Sequence, residues 1–184
     1  MKLHLGCGDK YLELENGGKY KHVDLRDGKH IDYVTDVRDL SMFEDNSIEE
    51  IYACHLLEHI KRNEEIAVLE EWHRVLMSGG RGVLRIAVPN FAAIVEEYQS
   101  NNNLGQLMGL LYGGQNYEYN FHYQTFDRRI LEEKLRSVGF IDIQEYDWRE
   151  FLPEGYDDFS RAYLPHMDFE HGRLMSLNLI AKKR

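Results

Sequence analysis

A short apolar strand that runs straight into a pair of glycines constrains this chain most. Leu3 and Leu5 alternate with Lys2 and His4, and Gly6-Cys7-Gly8 follows at once. Two glycines permit a tight turn and let the backbone approach a ligand without interference from Cβ. Amides exposed in such a loop can hold a carboxylate or a phosphate. The same unit, strand then loop, recurs along the chain. Residues 20–25 read as a second strand, 30–34 as a third and 48–54 as a fourth. Asn63 is positioned to cap a helix in which Ile66, Leu69, Trp72 and Leu76 recur at helical spacing, and Gly79-Gly80 stops it. Residues 82–88 form the clearest buried strand, closed by Pro89, and residues 91–99 read as a helix. Asp127 caps a helix over 128–138, and residues 140–146 and 174–181 supply the last strands. Strands alternating with helices predict an α/β fold, a mainly parallel sheet with helices on both faces. With no repeat and no low-complexity linker, a single domain over residues 1–184 is expected.

Composition narrows the function classes. A net charge of −10 repels a phosphate backbone, so no nucleic-acid partner is expected. No apolar run is long enough for a membrane span, and the N-terminus enters its glycine loop too early for a signal peptide. Cys7 and Cys54 are too few for a disulfide framework, which suits a reducing, cytoplasmic setting.

In open parallel sheets, ligands bind beyond the carboxyl ends of the strands. Asp24 ends the second strand, where a carboxylate can accept two ribose hydroxyls. Asp36 follows the third, where it can accept an adenine amino group. The runs LHLGCG, HVDL and TDVRDL, then EDNSIEEIYACHLLEHI and EEWHRVLMSGGRGVLRIAVPN, resemble the class I S-adenosylmethionine-dependent methyltransferases, in a compact type-11-like subgroup. The resemblance is strong over roughly residues 1 to 90 and looser beyond. It implies a Rossmann-like, seven-stranded sheet whose last strand is antiparallel, inserted between the fifth and sixth. It also implies S-adenosyl-L-methionine as cofactor. Gly6, Cys7 and Gly8 would then lie against its methionine part and Asp24 would hold the ribose. Leu25 would pack on the adenine, Asp36 and the Val37 backbone would read the adenine edge, and Cys54 and His55 would border the sulfonium. The chain departs from most relatives at His4, where they carry an acidic residue, and at Lys10, where they carry a third glycine.

Methyl transfer asks for alignment more than for apparatus, although an oxygen acceptor needs a nearby base. His55, just past the fourth strand, and His122, in a tyrosine-rich stretch, are the candidate catalytic residues. His59 reads as a brace against the loops and His73 as packing. Insertions at about 104–125 and 148–171 are long, aromatic and polar, and are expected to form an acceptor-side lid. A small-molecule or sugar acceptor is expected, methylated at oxygen. No metal is expected, because the spacing of His166, Asp168 and His171 suits no familiar site. Two other classes remain open from sequence: a non-catalytic S-adenosylmethionine-binding scaffold and a nicotinamide-dependent oxidoreductase. Against the second, Tyr11 stands where a dinucleotide fingerprint needs its third glycine.

Overall fold

The computed structural model describes residues 1–14 and 18–184. A seven-stranded sheet dominates it. Its strands are β1 (Lys2–Leu5), β2 (Tyr20–Asp24), β3 (Tyr33–Val34), β4 (Glu50–Cys54), β5 (Val83–Pro89), β6 (Phe140–Glu145) and β9 (Ser176–Lys183). Their order is β3-β2-β1-β4-β5-β9-β6, with β9 antiparallel to both of its neighbours and the β1–β5 pairs parallel. A small second sheet pairs β7 (Tyr163–Leu164) with β8 (Arg173–Leu174).

The period-two alternation of the strands gives the sheet two different faces. In register across it, Leu3, Ile51, Leu84 and Ala181 form one row, and Leu5, Ala53, Ile86 and Leu179 the next. All eight are fully buried. Helices α1 (Glu65–Val75) and α4 (Arg128–Ser137) cover this face with Val68, Leu69, Trp72, Leu131 and Leu135. Burying such side chains contributes roughly 1.5–3 kcal/mol each. The other face carries the row His22, His4, Tyr52 and Arg85. Here the irregular segment 148–161 packs instead, with Phe151 edge-on to Tyr52 at 4.9 Å. Tyr52 donates to Asp158 at 2.6 Å, and Asn178 donates to the Ser160 carbonyl at 2.8 Å. A polar sheet face is thus tied to a loop by hydrogen bonds.

Several local expectations need correction. The third strand is two residues long. Just before it, the Asp32 amide donates to the His22 carbonyl at 2.9 Å while the Asp32 carboxylate takes the His22 amide at 2.9 Å, so a side chain replaces the backbone partner a ladder would use there. α1 begins at Glu65, and no side chain of Asn63 or Glu64 caps it. Its buried stripe is Val68, Leu69, Trp72 and Val75, while Ile66 faces solvent. Asp127 does cap α4, accepting from Ile130 N at 2.7 Å. α2 (Phe91–Asn101) is capped by Asn90. The segment expected as one strand from Leu174 is two. Fully buried Met175 separates β8 from β9 and bonds to the Ala162 carbonyl. Between Gly8 and Tyr20 the described residues form no helix but a Glu13–Lys19 bridge; residues 15–17 lie outside the described residues. Among the described residues, no helix is long and apolar enough to cross a membrane.

Candidate active site

The carboxyl ends of β1, β2, β3 and β4 open on one cleft of about 940 Å³. Gly6, Cys7, Gly8, Asp24, Leu25, Asp36, Val37, Cys54, His55 and His122, all singled out in the sequence, line it. The glycine loop is fixed first. Gly6 and Gly8 adopt φ of 59° and 57°, in the left-handed region that L side chains avoid. A Cβ on Gly6 would lie 2.6 Å from Leu56 Cδ1. The Gly6 amide donates to the Val23 carbonyl at 2.8 Å, and the Gly8 amide to Asp24 Oδ2 at 2.8 Å. Asp24 Oδ1 accepts the Arg26 amide at 2.9 Å. Oδ1 also takes the Arg26 Nε–H at 3.4 Å, so of the roughly four lone-pair sites of a carboxylate the free one is on Oδ2, and the weak Arg26 contact is the one a second hydroxyl would displace. His30 Nε2 lies 2.9 Å from the Gly8 carbonyl and braces the loop from the far side.

Asp36 is arranged differently. Arg38 holds it in a fork, with Nε at 3.0 and 2.9 Å from the two oxygens, and reaches on to Glu64 at 2.9 Å. Desolvation pushes the Asp36 carboxyl up, but its bonds from Arg38 outweigh this and hold it below the usual range. Leu25 is 43% exposed and gives the cleft an apolar surface beside Asp24. Cys7 and Cys54 are neutral thiols: burial pushes Cys7 up to about 12 and raises Cys54 well above the usual thiol range. Neither is an activated nucleophile.

The chain past β4 builds the other end. His55 has φ 49°, an uncommon conformation for a residue with a Cβ, and its amide donates to the Ala87 carbonyl at 2.8 Å. Its Nε2 lies 3.1 Å from Ser176 Oγ, which donates to Asn178 Oδ1 at 2.8 Å. Ser176 is thus an acceptor for His55 Nε2–H, and the Nδ1 lone pair faces Glu58 Oε1 at 3.4 Å. Glu58 is fully buried, and neither carboxyl oxygen has a hydrogen-bond partner. His122 Nδ1 sits 3.0 Å from the Leu110 carbonyl, so the neutral ring turns its Nε2 lone pair toward Glu58 Oε1, 4.0 Å away. His59 stacks edge-on against His122 at 4.6 Å. Desolvation lowers His55 to about 3 and His59 to about 4, lowers His122, and raises Glu58 to about 8. All four groups are uncharged at neutral pH in this arrangement.

Across the mouth, the 104–125 stretch contributes α3 (Met108–Tyr112), Gly113, Tyr117 and Tyr119, and the second insertion contributes Asp157, Phe159 and Tyr163. Arg26 reaches over the Tyr117 ring at 5.8 Å. His171 pairs with Asp168 at 3.7 Å in the second insertion and is exposed. Sequence reasoning passed over Arg38, His30 and Glu58. Arg38 lies in the TDVRDL run that flagged Asp36, and Glu58 in the HLLEH run that flagged His55. Their roles depend on contacts that spacing does not reveal.

The strand order, the antiparallel β9 and the cleft at the glycine loop define a Rossmann-like methyltransferase fold. Residues 3–84 match the family model of a methyltransferase domain. Together with this fold, the match makes the chain similar to the S-adenosylmethionine-dependent methyltransferases. No curated protein matches it by sequence. Among solved structures, it is similar to an S-adenosylmethionine-dependent methyltransferase from Archaeoglobus fulgidus. That pair has a TM-score of 0.59 and 15% identity, covering 99% of this chain and 85% of that one. It is also similar to the 1,6-didemethyltoxoflavin-N1-methyltransferase of Burkholderia thailandensis, solved with its substrate and S-adenosylhomocysteine. There the TM-score is 0.56 and the identity 18%, over 99% and 70% of the two chains. A possible histamine N-methyltransferase from Thermotoga maritima aligns with TM-score 0.57 and 14% identity, over 100% and 82%.

Proposed function

We propose that the chain methylates a hydroxyl oxygen of a small molecule or sugar, with His55 and His122 bordering the transferred methyl. The observation that carries this reading is the pair of uncharged, buried imidazoles on the cleft wall beyond β4. A hydroxyl must shed its proton to attack, and a neutral imidazole can accept it. One of the two takes that proton. Both free ring nitrogens face Glu58 Oε1, and His122 Nε2 stands farther from it, at 4.0 Å against 3.4 Å for His55 Nδ1, which favours His122.

The cofactor residues divide their work in the same reading. Gly6, Cys7 and Gly8 receive the methionine end on a backbone with no Cβ in the way, and Asp24 accepts the ribose hydroxyls. Leu25 covers the adenine, Asp36 and Val37 meet its edge, and Cys54 and His55 flank the sulfur. Bound S-adenosylmethionine supplies an electrophilic methyl for in-line displacement, so alignment of the acceptor is the protein's main task. The insertions at 104–125 and 148–171 form the acceptor wall of a single domain. A small-molecule acceptor is supported by the substrate bound to the Burkholderia thailandensis enzyme and by the net charge of −10, which disfavours nucleic acid. Two unpaired cysteines suit a cytoplasmic setting.

The test is transfer of labelled methyl to a panel of hydroxylated small molecules, sugars and RNA, followed by single-turnover rates on the best acceptor. His→Ala at the proton-accepting position slows turnover by ~10²–10⁴-fold and leaves affinity for S-adenosylhomocysteine unchanged. Wild-type rates in both His55→Ala and His122→Ala would make the two histidines structural.

A further inference from the structure

Glu58 poses a problem that the reading above leaves open. A fully buried carboxyl group with no hydrogen-bond partner on either oxygen is costly even when protonated, and native proteins rarely leave one without a compensating group. Its surroundings supply imidazoles and no cationic side chain. One donor atom each from Glu58, His59 and His122 lies within 4.8 Å of the others. Two donors bound at ~2.1 Å to a tetrahedral ion sit ~3.4 Å apart. The 4.0 Å between Glu58 Oε1 and His122 Nε2 therefore closes with a shift of about half an ångström.

We propose that Glu58, His59 and His122 bind a divalent transition-metal ion at the acceptor end of the cleft. Two imidazoles and one carboxylate suit Zn²⁺, Fe²⁺, Co²⁺ or Mn²⁺ better than the all-oxygen preference of Mg²⁺. Further geometry agrees. A metal-bound histidine usually donates its other ring N–H to a carbonyl or carboxylate, which fixes the tautomer. His122 Nδ1 is 3.0 Å from the Leu110 carbonyl and His59 Nδ1 is 3.1 Å from that of Phe121. The Glu58 carbonyl accepts the Tyr123 amide at 2.8 Å, which ties the strand-end ligands to the segment that carries His122. The site joins two stretches distant in sequence, and His59 and His122 open on the cleft while Glu58 lies behind them. Three protein donors leave coordination positions for a hydroxyl or carboxylate oxygen of the acceptor. The proposal rests on the methyltransferase reading and refines it: His122 becomes a ligand.

The experiment is calorimetric titration of the chelator-treated full-length chain with Zn²⁺, beside visible absorption of the Co²⁺-loaded chain. S-adenosylhomocysteine affinity is measured on the same samples. We expect one ion per chain and the d–d bands of four- or five-coordinate Co²⁺. Glu58→Gln and His122→Ala should each weaken Zn²⁺ binding at least about a hundredfold, while His171→Ala should not. S-adenosylhomocysteine should bind all of them. A wild-type chain that binds the nucleoside but neither metal overturns the cation site and leaves the methyltransferase reading standing. Zn²⁺ binding lost with His171→Ala and kept in Glu58→Gln would assign it to the surface instead. Should Glu58→Gln fail to fold, His59→Gln and the wild-type Co²⁺ spectrum carry the same decision. Co²⁺ in six-oxygen coordination would contradict the proposal.

Discussion

The two ends of the cleft are held in opposite ways. At the glycine-loop end, polar groups are satisfied by their neighbours: Asp24 by two loop amides, Asp36 by the Arg38 fork, the Gly8 carbonyl by His30. At the far end, Glu58 is buried without a partner, His55 sits at positive φ, and the histidines are desolvated into neutrality. The first end is held in place by its own bonds. The second holds uncompensated polarity, which the proposed acceptor or ion would relieve. Strain and unmet hydrogen bonds concentrate where chemistry is done, at some cost to stability.

Substitutions can break this contrast, and the largest effect belongs to the loop. Gly6→Val places a branched side chain at φ 59° against Leu56, where even a Cβ comes within 2.6 Å. We expect a loss of roughly 2–3 kcal/mol in cofactor binding, about a hundredfold, read by titration calorimetry. Unchanged affinity would mean that the loop backbone does not meet the ligand. Asp24→Ala comes next. It removes the proposed ribose acceptor and orphans the Gly8 amide, so affinity for S-adenosylhomocysteine should fall at least tenfold, with a stability loss of about 1–2 kcal/mol. Equal affinity would place the ribose elsewhere. Asp36→Ala should cost less, about threefold or under, because Arg38 already occupies its carboxylate; a loss as large as that of Asp24→Ala would show that the fork opens on binding.

The contrast also explains what the sequence made legible. The rows Leu3–Ile51–Leu84 and Leu5–Ala53–Ile86 follow from alternation, and the cleft lies where parallel strands end, so Asp24, Asp36 and His55 fell into place by position in the chain. These are local signals. The second face of the sheet was not legible, because Tyr52–Asp158 and Asn178–Ser160 join segments far apart in sequence. The same holds for Glu58, which reads as one more acidic residue near a helix start until His122 is folded against it. The shortened β3 and the split before β9 accompany local contacts, the paired bonds of Asp32 with His22 and the bond of Met175 with Ala162, that no periodicity encodes.

A pH-dependent effect is expected at His4, on the loop-end face. Burial, with His22 and His30 nearby, lowers its pKa to about 3. The unfolded chain takes up a proton near pH 6.5, and the folded one refuses it until about 3. The stability contribution is therefore present above 6.5 and lost as pH falls through that window, by up to ~1.4 kcal/mol per pH unit. His4→Phe should make the melting temperature fall less steeply between pH 6.5 and 4 than in the wild type; parallel curves would show that His4 is not the group responsible.

The central claim is that the satisfied end of the cleft is built for S-adenosylmethionine. Thermal unfolding with S-adenosylmethionine, S-adenosylhomocysteine, NAD and NADP tests it most directly. A ligand that binds only the folded chain stabilises it by roughly 2.7 kcal/mol at a hundredfold excess over its dissociation constant. The two sulfur nucleosides should raise the melting temperature and the two dinucleotides should not. A shift with NAD or NADP alone, or none with either sulfur nucleoside at millimolar concentration, would contradict the account.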